Sequence, residues 1–222
     1  AWFGGDLARR HTPGASDDDI ATPDRLRPAA MWRDALLAGV AAAASVGAWA
    51  VLKPPLQAPD ESQHLVRVLA SPNVAWLHPN SRVPVDLPSC NPLLKLPFHE
   101  EAQLTRGDVT ALRAVPWPAT AGQVAIHTQA GAYPPGFYHV VAAIGTPLSG
   151  VVGATPYQAT YVHRFVVAGL AAACWGWVMV ALARTSLTRG QRWLVVALCV
   201  ANPMAAFVAG SVNPDALAMP LI

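Results

Sequence analysis

The sequence is 222 residues long, 53% hydrophobic and 13% charged, with a net charge of +2 and a mean hydropathy of +0.32. A soluble domain carries about 25% charged residues, so half that share excludes an ordinary water-facing surface. A charge of +2 with no interleaving of aromatic and basic residues excludes a nucleic-acid partner.

In chain order, residues 1–30, rich in Pro, Asp, Arg and Ala, read as a disordered cytoplasmic tail. The uncharged run 35–52 is long enough to cross most of a hydrocarbon core. It reads as a true span rather than a signal peptide, because the preceding stretch is too long and, with Asp6, Asp17, Asp18, Asp19 and Asp24, too acidic. Residues 53–160 then form a loop far beyond ordinary connection length, the mark of a functional segment. Within it, 59–70 and 100–115 have amphipathic helical patterns, and Pro84, Pro88, Pro92, Pro97, Pro116 and Pro118 break the loop into short pieces. Residues 137–152, with Pro147 among them, are short for a span and read as a helix at the outer interface. Residues 161–183 form the second span and 193–209 the third.

Charge sets the direction. Arg9, Arg10, Arg25, Arg27 and Arg33 precede the first span, which places the N-terminus in the cytoplasm. Arg184, Arg189 and Arg192 also fall in the cytoplasm, provided 137–152 does not cross. The expectation is an all-α integral membrane fold with three spans and a large outer loop carrying interfacial helices, in the cytoplasmic (inner) membrane of a bacterium. Because the chain starts at Ala1 and ends inside an apolar stretch, it reads as the N-terminal fragment of a larger bundle. Cys174 and Cys199 sit in apolar blocks and Cys90 in the loop, a pattern that gives neither a metal site nor a disulfide framework.

Four groups of residues carry the candidate chemistry. Asp60, Glu61 and His64 follow the first span closely, with His64 four residues after Asp60 and three after Glu61, on one helical face. Carboxylates there suit a general base, and the trio suits a divalent cation; acidic residues also suit a plain helix start. Tyr133 and Tyr138 flank a double proline and suit either an interfacial anchor or the wall of a groove for a lipid-linked substrate. Arg164, at the outer end of the second span, either snorkels to the interface or faces a phosphate. Asn213 and Asp215 emerge at the outer face, as a helix cap with its first-turn acid or as a second acidic group level with Asp60.

Taken together, Pro59-Asp60-Glu61-Ser62-Gln63-His64, Pro134-Pro135-Gly136-Phe137-Tyr138 and Asn213-Pro214-Asp215-Ala216-Leu217 resemble the Pro-Asp-Glu-x-x-His, Pro-Pro-x-x-Tyr and Asn-Pro-Asp-Ala-Leu motifs of a large family of bacterial polytopic membrane proteins of unassigned function. The resemblance covers residues 31–222, and that family in turn resembles the GT-C glycosyltransferases. It implies a GT-C-like helical bundle that moves a sugar from a polyprenyl-phosphate donor to a glycan or lipid acceptor of the cell envelope, on the outer face of the membrane. It further implies Asp60, with Glu61 beside it, as base or metal ligand, the helix near 134–150 framing the site, and Arg164 on the donor phosphate. A transporter or flippase of lipid-linked sugars, with these groups as its binding site, is the alternative. A non-catalytic membrane scaffold is the third reading.

Overall fold

The structure is a computed structural model describing residues 28–55, 58, 60–71, 82–85, 105–107, 110, 122–125 and 135–221. Its elements are α1 (Pro28–Leu52), α2 (Glu61–Ala70), β1 (Arg82–Val85), β2 (Gly122–Ala125), α3 (Pro135–Val151), α4 (Pro156–Leu182), α5 (Arg189–Val200), α6 (Pro203–Ala209) and α7 (Asp215–Leu221). Residues 1–27, and so nearly all of the expected tail, lie outside the described residues, as do Pro59, Cys90, Tyr133 and most of 100–115.

Two long helices form the frame. α1 has 25 residues and α4 has 27, each roughly 40 Å at about 1.5 Å per residue. These are the described helices long and apolar enough to cross a membrane. They pack antiparallel through small residues at matched positions. A Cβ added to Gly39 would meet the Ala172 carbonyl oxygen at 3.1 Å, and one added to Gly176 the Ala35 carbonyl oxygen at 3.3 Å. Where lipid gives no hydrophobic drive between helices, such close backbone approach supplies the packing. Leu36, Val40, Phe165 and Trp177 remain exposed on the outside of the pair, facing the solvent that suits them if that solvent is lipid. An apolar groove of about 510 Å³ runs along this pair, lined by Trp32, Leu36 and Val40 of α1 and by Gly176, Trp177 and Val180 of α4.

Both helices start earlier than the uncharged runs suggest. In α1, Arg33 and Asp34 are helical, and the buried Asp34 carboxylate accepts two hydrogen bonds from the Arg189 guanidinium, both 2.7 Å. A paired carboxylate can enter an apolar helix; an unpaired one cannot. In α4, Thr155 and Gln158 form a capping box ahead of the apolar run, which moves the helix start back to Pro156.

The third apolar run is broken. α5 opens on a second capping box, Thr188 with Gln191, and α5 and α6 meet at a 65° bend. Pro203 has no N–H to continue α5, and the Asn202 side chain accepts from the Met204 and Ala205 N–H groups to begin α6. Taken as one unit, the bent pair is the third candidate span.

α3 is a 17-residue helix, roughly 26 Å at 1.5 Å per residue, and so shorter than the roughly 30 Å hydrocarbon core. Tyr138, Val141 and Ala142 join it to the core formed with Leu65, Val66 and Val68 of α2 and Val167 and Ala168 of α4. Its Gly145 lies under the His163 ring of α4, where a Cβ would come within 2.5 Å of the ring. β1 and β2 form an antiparallel pair in which Pro84 stands opposite Gln123. Pro84, expected to act as a joint, is instead inside a strand, which a two-stranded ladder tolerates because each strand is an edge. The short ladder is the one departure from an all-helical fold among the described residues.

Candidate functional site

α2 follows α1 after a short connection and is wrapped on nearly every side. Leu65, Val66 and Val68 are buried, and so are its polar residues Glu61, His64 and Arg67. A surface helix would turn those three to water. Here each points into the protein, three residues apart, and each has a different fate.

Glu61 meets Arg164 in a wholly buried ion pair. Arg164 Nε donates to Glu61 Oε1 at 2.7 Å and Nη2 donates to Oε2 at 2.6 Å. The rest of the guanidinium closes the end of α1: Nη1 donates to the carbonyls of Ala50 and Lys53, both at 2.8 Å, and Nη2 to that of Pro54 at 2.9 Å. The last carbonyls of a helix lack partners within it, and Arg164 provides them from another helix. Glu61 Oε1 also accepts the Val212 N–H at 3.1 Å, tying in the α6–α7 junction. All five N–H groups of Arg164 are thus committed to protein oxygens, which leaves none for the phosphate contact expected from sequence. Arg164 also lies eight residues inside α4 rather than at its start.

His64 shares a 2.9 Å hydrogen bond between Nδ1 and the Tyr138 hydroxyl, and its ring stacks on the Tyr138 ring. Burial holds its pKa down to about 4, against the opposing pull of Asp60, Asp215 and Glu61. His64 is therefore neutral at pH 7, and three carboxylates lie within electrostatic reach of it. Tyr138 is fully buried, so it serves the core rather than the wall of an open groove. Lys53, at the end of α1, is buried beside Phe207; desolvation lowers its pKa to about 8, with Glu61 opposing and Arg164 reinforcing the shift.

Arg67, one turn on from His64, is fully buried, and its Nε, Nη1 and Nη2 have no hydrogen-bond partner. The guanidinium lies over the Tyr138 ring, 5.3 Å from its carbon to the ring centroid. The expected site did not include this residue. The available signal was the Glu61-x-x-His64-x-x-Arg67 spacing inside an apolar helix.

Asp60 precedes α2 and differs from all three. It is exposed, it has φ 56° and ψ 2°, and it is the sole non-glycine residue with positive φ among the described residues. Its carboxylate stands in the N-cap position yet makes no capping hydrogen bond. The left-handed region costs an L residue about 1–2 kcal/mol, with Asp among the better tolerated. Asp215 is exposed in the first turn of α7, and the Asn213 side chain accepts its N–H at 2.9 Å, so the expected cap is formed.

The structure therefore gathers Asp60, Glu61, His64, Tyr138, Arg164, Asn213 and Asp215 around the junction of α1, α2, α4 and α7. Asp60, Glu61 and His64 do not assemble as a donor set for a divalent cation. Both Glu61 oxygens face Arg164 and His64 Nδ1 is turned to Tyr138. No group of three or more His, Cys, Asp or Glu side chains suited to a metal occurs among the described residues.

Residues 44–222 match the family model described as Predicted membrane protein (DUF2142). No curated protein and no solved structure matches the chain.

Proposed function

The chain belongs to that membrane-protein family, and from this premise we propose that it contributes the outer-face site of a membrane glycosyltransferase of GT-C type, which moves a sugar from a polyprenyl-phosphate donor to a cell-envelope acceptor. The observation that carries the proposal is Asp60, an exposed carboxylate in a left-handed backbone conformation, doing no capping, at the head of a helix that follows the first span. Non-glycine residues kept in costly backbone conformations concentrate at functional sites.

In the proposed reaction Asp60 accepts the proton of the acceptor hydroxyl while that oxygen forms its bond to the sugar's anomeric carbon. The bond from that carbon to the donor phosphate oxygen breaks, and its electron pair leaves on the phosphate. Glu61 and Arg164 are positioning residues: their ion pair fixes the head of α2 against the end of α1 and α4. Asp215 adds a second exposed carboxylate within electrostatic reach of the neutral His64. Polyprenyl donors and envelope acceptors are consistent with a site set at one end of membrane-length helices.

The test is transfer of labelled sugar from a panel of polyprenyl-phosphate donors by full-length protein in membranes, wild type against Asp60→Asn. Asn tolerates the left-handed region, so the fold is kept while the base is lost. Transfer should fall by roughly 10²–10⁴. Undiminished transfer by folded Asp60→Asn protein would remove Asp60 as the base.

One observation favours the second reading, a transporter or flippase of lipid-linked sugars: broken helices line transporter sites, and α5–α6 is bent by 65°. In a transporter the ionisable groups gather at such a break. Here they gather at α2, so the transferase is preferred.

A further inference from the structure

We infer that Arg67 is the binding residue for a phosphate-class oxyanion. The two fully buried arginines of this region make the case by contrast. Arg164 has every N–H answered by a protein oxygen. Arg67 is buried to the same degree, at 0% exposure, and none of its three nitrogens has a partner. Buried charges are paired in stable proteins, because neither burial nor an apolar surround provides anything for the N–H groups to bond. The Tyr138 ring face attracts the guanidinium but offers its edges no acceptor. Among the described residues no ion pair or hydrogen bond reaches the guanidinium, and the contact made to it is that of the uncharged Tyr138 ring.

None of the described residues is that partner, and the inference assigns the place to an anion from outside the chain. With Nε, Nη1 and Nη2 all open, more than one edge of the fork is on offer. One edge of the planar fork pairs with two oxygens of a phosphate, and the second edge is left for a further oxygen of the same ligand. The position is equally specific. Arg67 follows Asp60 by seven residues, roughly 10 Å along the axis of α2. A sugar phosphate spanning that length would have its acceptor end at Asp60 and its phosphate at Arg67. For the source of the phosphate this inference rests on the transferase reading: the anion is the donor's phosphate, the role that Arg164, with all its N–H groups committed, does not fill.

The experiment measures thermal midpoints of the full-length protein in detergent, titrated with inorganic phosphate and, separately, with dodecyl phosphate, against sodium chloride at matched ionic strength. Wild type should be stabilised in a saturable way. Arg67→Met, which replaces the unpaired cation with an apolar chain of similar length, should melt no lower than wild type without ligand and should not respond. Arg67→Lys keeps the charge but not the fork and should need at least tenfold more ligand for the same shift, which keeps the test open if the Met variant does not fold. A response to dodecyl phosphate alone supports a lipid phosphate; a response to both supports a phosphate group of either source. No saturable shift in wild type, or an undiminished one in Arg67→Met, overturns the inference. These arms contain neither sugar nor acceptor, so phosphate binding without any transfer would count against the transferase alone. Transfer whose donor KM is unmoved by Arg67→Lys would count against Arg67 alone.

Discussion

At Asp60 the backbone and the side chain pull in opposite directions, and that opposition can be measured. The φ of 56° is a conformation that glycine adopts without penalty. Asp60→Gly should therefore raise the stability of the protein by about 1 kcal/mol, seen as a thermal midpoint a few degrees higher, while abolishing transfer. A variant both more stable and inactive would identify the strain as functional; a destabilised one would mean that the Asp60 side chain holds the fold. His64 gives a second handle. Its pKa falls from 6.5 to about 4 on folding, chiefly by burial. The folded state thus binds fewer protons than the unfolded state between those values. The His64 contribution to stability is complete above pH 6.5 and is lost as pH falls toward 4, by an amount on the order of 3 kcal/mol across the window. Between pH 6.5 and 5, where carboxylates titrate little, wild type should lose more thermal stability than His64→Gln. Equal slopes in the two proteins would show that His64 does not stay neutral in the fold.

At the level of elements, the Glu61 clamp depends on how closely the α6–α7 junction approaches α1. Gly210 makes that approach: a Cβ there would lie 2.8 Å from the Ala50 nitrogen and 2.9 Å from the Val46 carbonyl oxygen, both backbone atoms that cannot swing aside. Two residues later Val212 donates to Glu61. Gly210→Ala should cost about 1–3 kcal/mol as overpacking and weaken the Glu61–Arg164 seat along with it. The check is the thermal midpoint together with transfer, and unchanged values of both would show that the junction yields freely. The apolar runs made α1 and α4 legible in sequence, because period and length survive whatever packs around them. Their true starts were not, since Asp34 enters α1 only by finding Arg189, a residue 155 positions away. The bend at Asn202-Pro203 was written in the residues, yet a hydropathy window runs across it. α2 was legible as a helix but not as a buried one. Its polar residues look like a wet face until Arg164 and Tyr138 arrive from α4 and α3. The same fact explains why Asp60, Glu61 and Arg164 could be named from sequence while their roles were not: which carboxylate is committed to the arginine is decided by tertiary contact. Arg67 escaped for that reason too, because a buried cation without a partner looks in sequence like an ordinary surface arginine.

For the whole molecule, the antiparallel packing of α1 and α4 sorts the charges to two ends. Arg33, Asp34, Arg184, Arg189 and Arg192 cluster at one, and Asp60, Glu61 and Arg164 belong to the other. If both helices cross a membrane, the arginine-rich end belongs in the cytoplasm and the acidic end outside. That arrangement requires α3 not to cross, and its 17 residues fit the requirement. Two exposed positions test it, Gly107 in the long loop and Ser186 in the turn between α4 and α5. With Cys90, Cys174 and Cys199 replaced by alanine, single cysteines are placed at one position or the other by Gly107→Cys and Ser186→Cys. A membrane-impermeant maleimide added to intact bacterial cells with an opened outer layer should label the first, and label the second only after the inner membrane is permeabilised. Labelling of both from outside would mean that α3 spans, turning the α4–α5 turn and its arginines outward against their charge. Labelling of Ser186→Cys alone would invert the whole assembly, and with it place Asp60 and Arg67 in the cytoplasm, where a nucleotide-linked sugar rather than a polyprenyl phosphate becomes the donor to test.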